Sequence, residues 1–176
     1  MKAIRNSKIT LKPFEEVDLA DFVEATRESV SSVGIWMSWC HEKYSKNDAR
    51  LWFESCRRNI DNKSAYDIGI FLAQTGQLVG GVAINRIDYE HQMGNIGYWV
   101  RESFQNQGIA SCAMGLIKQF GFGCLGLTRL EIIVLEANGI SRKVAEKSGA
   151  KFEWLAKNRL VHDGQPTAAM VYSLLP

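Results

Sequence analysis

Gly97-Tyr98-Trp99-Val100-Arg101-Glu102-Ser103-Phe104-Gln105-Asn106-Gln107-Gly108-Ile109-Ala110 is the stretch on which the fold turns. With Asn95 and Ile96 before it, its opening as far as Val100 has the length and composition of a strand. Polar residues follow. Then Ile109, Cys112, Ala113, Leu116, Ile117 and Phe120 recur at the spacing of one helical face. A strand therefore runs through a short loop into a helix that begins near Gly108. The first amides of a helix have no intrahelical partner and point outward, where the macrodipole adds partial positive charge. Gly108 has no Cβ, and Ala110 and Ser111 are small, so a ligand can approach the backbone closely. The turn predicts a cradle for phosphate oxygens at the start of this helix, although an ordinary β-to-α turn would carry the same residues. G-x-x-x-x-G-K-[ST] is absent and G-x-G-x-x-G does not occur at this turn, so neither common nucleotide loop accounts for it.

Working outward, the helix ends in the glycine-rich Gly121–Gly126. Leu130–Leu135 is a nearly continuous apolar run, as expected of a strand covered on both faces. Asn138 opens a short helix over Ser141–Lys147, and Lys151–Leu155 and Ala168–Leu174 close the chain as strands. Towards the N-terminus, Ile9–Lys12 reads as a strand. Glu16–Arg27 reads as a helix with Leu19, Phe22, Val23 and Thr26 inward and Asp18 and Asp21 in solvent. Asn47 is the expected N-cap of a second helix, with Leu51, Trp52, Ser55 and Cys56 at core spacing. Tyr66–Leu72 and Leu78–Arg86 form a hairpin about Thr75-Gly76-Gln77. The class is mixed α/β (α+β).

The chain has 176 residues, 46% of them apolar and 23% charged, which fits one globular domain over residues 1–176. Its 21 Lys and Arg against 19 Asp and Glu leave a net charge of +2, too balanced to indicate a nucleic-acid partner. No apolar stretch is long enough for a membrane span, and the start lacks the pattern of a secretory signal; a cytoplasmic location is expected. Cys40, Cys56, Cys112 and Cys124 form no C-x-x-C pair, and His41, His91 and His162 are scattered. No metal site is expected, and the thiols are read as reduced.

Ile96-Gly97-Tyr98-Trp99-Val100 followed by Gln105-x-x-Gly108-x-Ala110 resembles the coenzyme A loop of the GNAT superfamily of acetyltransferases. Asn138-Gly139-Ile140-Ser141-Arg142-Lys143-Val144-Ala145-Glu146-Lys147-Ser148-Gly149-Ala150 resembles the family's second block, with Ala150 in the usual aromatic position. The Asp163-Gly164 turn, Val171-Tyr172-Ser173-Leu174-Leu175 and Ile35-Trp36-Met37-Ser38-Trp39 resemble the RimL/RimJ-like branch, which acetylates protein N-termini. The likeness spans about residues 8–175. It implies a twisted, mostly antiparallel sheet with helices on both faces and a splayed central strand pair ending at Val100 and Leu135. Acetyl-CoA would be the co-substrate. Its arm would lie in the V against Val100, its pyrophosphate on the amides of Gln107, Gly108, Ile109, Ala110 and Ser111, and Gln105 would also belong to the coenzyme site. Asn138 would contact that arm, or serve simply as a helix cap. A homodimer is also compatible with the family, and neither a membrane nor a nucleic acid is implied.

Amine acetylation needs a neutral amine, donors to the developing oxyanion and a proton for the departing sulfur. Many family members carry a tyrosine acid where this chain has Ala145. Ser141 is the hydroxyl the resemblance offers instead, its alternative being stabilisation of a first helical turn. Glu131 is the candidate base, unless it simply pairs with Arg129 or Lys151. Leu160 and Ala168 stand where the branch usually has acidic residues. An α-amine of pKa about 7.8 is roughly one-quarter neutral at pH 7.4, against about 0.1% for lysine, so an enzyme without a strong base suits the former. The expected acceptor is thus the N-terminus of a protein, a ribosomal one by the resemblance, with a polyamine or antibiotic amine as the alternative. A non-catalytic acyl-CoA-binding module is the reading from another class. Trp36, Trp39 and Tyr98 are expected on the acceptor side, and Trp52 in the core.

Overall fold

The computed structural model describes residues 1–176. Its strands are β1 (Ile4–Arg5), β2 (Ile9–Lys12), β3 (Tyr66–Leu72), β4 (Leu78–Asp88), β5 (Met93–Val100), β6 (Arg129–Leu135), β7 (Lys151–His162) and β8 (Gln165–Leu174). The α-helices are α1 (Leu19–Glu28), α2 (Lys46–Asp61), α3 (Ile109–Gln119) and α4 (Gly139–Lys147). All eight strands form one sheet in the order β1-β2-β3-β4-β5-β6-β8-β7. Every neighbouring pair is antiparallel except β5 and β6, whose parallel connection runs through α3. This is the mixed α/β class read from the sequence and the mostly antiparallel sheet that the resemblance implies.

The parallel pair decides what the fold can do. β5 and β6 are in register only at Met93↔Arg129, Gly94↔Leu130 and Asn95↔Glu131. Beyond that point β5 stays paired with β4 as far as Val100, and β6 with β8 as far as Leu135. Each strand keeps its outer neighbour while the inner edges separate, so the stretch of β5 from Ile96 to Val100 has no strand along its β6 side.

Side chains alternate across the sheet, and each face has its own cover. Ile68, Ile70, Val82, Ile84 and Ile96 pack in one cluster with Ile109, Ala113, Met114 and Ile117 of α3. Phe71 on the other face clusters with Phe22 of α1 and Phe53 of α2. Met114 takes the inward place on α3 that the sequence gives to Cys112, which is only partly covered.

Three expectations change. α2 is capped by Ser45, not Asn47: the Ser45 hydroxyl accepts from the Asp48 amide (3.2 Å), and the Asp48 carboxylate accepts from the Ser45 amide (2.8 Å). The buried face is then Ala49, Phe53 and Cys56. Phe53 stacks on Phe14 at 4.7 Å, which leaves Trp52 39% exposed and Leu51 56% exposed rather than in the core. Strand β6 is buried at Leu130, Ile132 and Val134 but only partly covered at Glu131 and Ile133, so it is not covered evenly on both faces. β7 and β8 run much further than Lys151–Leu155 and Ala168–Leu174. Their two-residue turn, Asp163 (φ 49°) and Gly164 (φ 73°), has the left-handed backbone that matches the twist of a long hairpin.

Candidate active site

Where β5 ends, Glu102–Phe104 makes a single tight turn and Gly108 takes φ 75°, ψ 9° as the residue before α3. Left-handed backbone at this point suits glycine. Cys112 is the first helical amide with a partner, donating to the Gly108 carbonyl at 3.0 Å. The amides of Gln107, Gly108, Ile109, Ala110 and Ser111 have no acceptor within the protein. A Cβ built on Gly108 would meet only Lys8 Nζ, at 3.8 Å. Gly108–Ser111 border a cavity of about 380 Å³. Val100, Gln105, Gly108, Ile109, Ala110 and Ser111 line one side of it, and Asn138, Ser141, Lys143 and Lys147 line another. Unpaired amides, a helix N-terminus and two ammonium groups together suit a polyanion.

Two glutamines differ from expectation in what their side chains do. Gln105 Nε2 donates to Ser32 Oγ (3.1 Å) and to the Val100 carbonyl (3.0 Å), and Gln107 Nε2 donates to the Ser103 carbonyl (3.0 Å). Their amide groups brace the loop, and Gln107, unlike Gln105, does not line the cavity. Asn138 caps α4 by accepting from the Ser141 amide at 3.0 Å, while also lining the cavity.

Across the open V, the Tyr98 hydroxyl lies 2.8 Å from the Ser141 carbonyl and 2.9 Å from Ser141 Oγ. Burial pushes the Tyr98 phenol up to about 12, against the opposing pull of the Ser141 hydrogen bond. It is a neutral proton donor at physiological pH. Ala145 is fully buried in the core beneath α4, so Ser141, backed by Tyr98, is the hydroxyl of this helix that faces the cavity.

A second cavity, of about 320 Å³, lies on the α1–α2 face. Phe14, Phe22, Trp39, Tyr44 and Trp52 wall it. Its floor includes Gly81, Ala83 and Gly97, and a Cβ on Gly97 would meet nothing within 4 Å. Met37, Tyr98 and Trp99 border both cavities, so the two meet on β5. Trp39 packs edge-on against Trp99 at 5.5 Å. Trp36 instead borders the first cavity, with its ring stacked on His162 at 6.1 Å.

Glu131 joins neither cavity. Its carboxylate pairs with Arg129 at 2.9 Å, beside Glu153, where β5 and β6 are still together. The pairing with Arg129 is the alternative that the sequence left open for Glu131. Asp67 was not among the expected residues, yet it is the one charged side chain lining the aromatic cavity. It has no hydrogen-bond or ion-pair partner, and burial pushes its carboxyl up to about 6. A lone charge inside the apolar run Tyr66–Leu72 was the available signal. No three His, Cys, Asp or Glu side chains gather as metal ligands, and no helix is long and apolar enough to cross a membrane.

Residues 8–151 match the acetyltransferase (GNAT) domain family. The chain belongs to the GNAT acetyltransferases. The Bacillus subtilis protein YdaF, provisionally named a ribosomal N-acetyltransferase, is 26% identical over 171 residues, covering 97% of this chain and 92% of its own. A Vibrio cholerae structure, provisionally described as a ribosomal-protein-serine acetyltransferase, superposes with a TM-score of 0.89 at 33% identity, over 99% of this chain and 98% of its own. RimL, a ribosomal L7/L12 α-N-protein acetyltransferase solved with coenzyme A, has the same fold: TM-score 0.86, 20% identity, 99% and 98% of the two chains. For a GNAT acetyltransferase the two cavities take on distinct meanings. One suits a phosphate-bearing acyl carrier, and the other suits an acceptor approaching from the opposite face of β5.

Proposed function

We propose that this GNAT acetyltransferase moves the acetyl group of acetyl-CoA onto the N-terminal α-amine of a ribosomal protein. The observation that carries the reading is the meeting of two unlike cavities at Met37, Tyr98 and Trp99, one edged with unpaired amides and lysines, the other aromatic. The names of YdaF and the Vibrio cholerae neighbour supply the acceptor class.

The residues fit the coenzyme. Gln107–Ser111 offer amides, and Lys143 and Lys147 offer positive charge, to its phosphates. The unpartnered edge of β5 offers backbone groups to its amide-bearing arm, beside Val100 and Asn138. The acceptor nitrogen attacks the thioester carbonyl carbon; the C–N bond forms, the C–S bond breaks and the thiolate takes a proton. Backbone donors on the open edge of β5 stabilise the charge that develops on the carbonyl oxygen, an effect of about 3–4 kcal/mol for one well-placed donor. The Ser141 hydroxyl supplies the proton to sulfur and recovers one from Tyr98, whose phenolate takes back the proton that the nitrogen sheds once the C–N bond has formed. Glu131, held by Arg129, takes no part. The proton on the α-amine leaves to water, because that amine is roughly one-quarter neutral at pH 7.4. We also infer a homodimer: β7 is a sheet edge on which Phe152, Trp154 and Leu155 remain about half exposed, and a second copy would cover them.

The test is a panel of acceptors offered with acetyl-CoA: peptides with ribosomal-protein N-termini, N-blocked peptides containing lysine, and spermidine. Mass spectrometry should find acetyl on α-amines. Preferred transfer to lysine or spermidine would overturn the acceptor assignment, and acetyl-CoA binding without transfer to any amine would indicate a binding module.

A further inference from the structure

We propose that Asp67 selects acceptors carrying a second cationic group, a lysine- or arginine-like side chain near the acetylated N-terminus, by receiving that group at the far end of the aromatic cavity. The inference rests on the acetyl-transfer reading above and specifies its acceptor more narrowly.

The strand register sets the geometry. Asp67 is opposite Ala83, and Ala83 is opposite Gly97. Neighbouring strands are about 4.8 Å apart, so Asp67 stands roughly 10 Å from Gly97 of β5, with Ala83 between them. A nitrogen attacking at the open edge of β5 is beyond the reach of a single hydrogen bond from this carboxylate, which spans only about 3 Å. The group that meets Asp67 must therefore be a different one on the same acceptor. Gly97 has open space above it, and Ala83 adds one methyl, so the path between the two positions is clear. A peptide extends about 3.3–3.6 Å per residue, and a long basic side chain adds several more. A cation on the second or third residue spans the gap.

The chemistry of the cavity agrees. Asp67 is its one charged lining residue, and it has no internal partner. A partly desolvated carboxylate without a counter-ion is unfavourable until a cation arrives. Trp39, Tyr44 and Trp52 supply aromatic faces, which attract ammonium and guanidinium groups. The titratable neighbours keep their protons at neutral pH. Burial pushes up the Tyr44 phenol, the Cys56 thiol of α2 and the Tyr98 phenol of β5. His41, 5.9 Å from the Tyr44 ring, and Asp48, at the start of α2, do not line the cavity.

The test compares two peptides that differ only at residue 2, lysine against norleucine, on the wild-type protein, Asp67→Asn and Asp67→Glu. Wild type should favour the lysine peptide by about 10- to 100-fold in kcat/KM, the range of one charge-assisted contact. Asp67→Asn should bring the ratio to about one, and Asp67→Glu should restore part of it. The wild-type preference should fade below about pH 6 as the carboxylate takes a proton, with the Asn variant showing no such change. Equal use of both peptides by wild type overturns the proposal. So does a rate loss in Asp67→Asn that is the same for both peptides with the preference intact, because that is the behaviour of a base. A binding arm needs no transfer: butylammonium and butanol are titrated with acetyl-CoA absent, reading the fluorescence of the cavity tryptophans. Wild type should bind only the cation, and Asp67→Asn neither. If this holds while no peptide is acetylated, the acetyl-transfer reading fails and the cation site stands; equal binding of cation and alcohol overturns the site.

Discussion

Arg101 ties the acceptor side of the molecule to the coenzyme loop, and replacing it with methionine should release both. The side chain is 4% exposed directly after β5 and reaches three carboxylates of α1. These are Asp21 at 2.9 Å, Glu24 at 2.6 Å and Glu28 at 2.5 Å. Glu24 is 71% exposed, and its pair contributes little. Asp21 and Glu28 are about one-third exposed, and each keeps a backbone donor after the change, from Leu78 and Ser103. Breaking a fully buried pair costs about 3–5 kcal/mol; with solvent and the remaining donors the expected loss is about 2–4 kcal/mol. For a chain of this length that lowers Tm by roughly 5–15 °C. The loss should depend on pH. Burial pushes the Glu28 carboxyl up, but hydrogen bonds from Ser103 and Arg101 outweigh it and hold the carboxyl below its ordinary value. A depressed carboxyl contributes stability above its unfolded pKa and loses it as pH falls through the folded value. Urea unfolding followed by tryptophan fluorescence should therefore give a gap between wild type and Arg101→Met that is full at pH 7.5 and narrows below about pH 4.5. Acetyl-CoA affinity should weaken as well, because Glu28 also anchors the Ser103 amide of the coenzyme loop. A gap under about 0.5 kcal/mol at pH 7.5, or one unchanged down to pH 3, would refute the latch.

Gly108→Trp should abolish acetyl-CoA binding in calorimetry; at φ 75° the change also strains the turn, so circular dichroism must show the variant folded, and a folded variant with retained affinity would remove the turn from the site. Ser141→Ala and Tyr98→Phe should each lower kcat by about 10²-fold or more, with a much smaller change in coenzyme Kd. Because the two hydroxyls are 2.9 Å apart, the double variant should lose less than the product of the single losses, and independent effects would separate them. Asp67→Asn should stabilise the free protein above about pH 6. A carboxyl whose folded pKa is raised weakens the fold as pH climbs from about 4 to 6, and the amide removes that penalty; melting curves across this range read the sign.

The turn before α3 and the cap of α4 were legible because their determinants are local. A helix start, a residue that must tolerate φ 75° and an asparagine three residues before Ser141 are all visible in short windows. Side-chain direction was not. Gln105 and Gln107 look like ligand contacts until Ser32, Ser103 and the Val100 carbonyl are brought beside them. Glu131 looks like a base until β7 delivers Glu153 to the same arginine. Trp52 looks like core because it shares a spacing with Leu51, Ser55 and Cys56, but the buried face is Ala49, Phe53 and Cys56, and the stacking of Phe53 on Phe14 leaves Trp52 outward. The aromatic cavity was the least legible part. Asp67, Ala83 and Gly97 come together through the register of three strands, and no single window of sequence encodes that register.

One strand can border both cavities because of two properties of β-structure acting together. Consecutive residues point to opposite faces, so Tyr98 reaches Ser141 on α4 while Trp99 packs against Phe22 and Trp39 on the other side. Pairing with β6 stops at Asn95, which leaves the backbone between these faces unpartnered along one edge. An acyl carrier held at that edge is within reach of Ser141 from one face and of an acceptor from the other. The three-residue parallel contact at Met93–Asn95 is thus the hinge of the whole arrangement: lengthening it would pair the free edge and close the V, and removing it would let β5 and β6 drift apart. Gly81 adds a second constraint, because a Cβ there would come 2.5 Å from the Trp99 indole nitrogen. The indole lies directly on the neighbouring strand, and the position of the acceptor wall is set by backbone rather than by a mobile side chain.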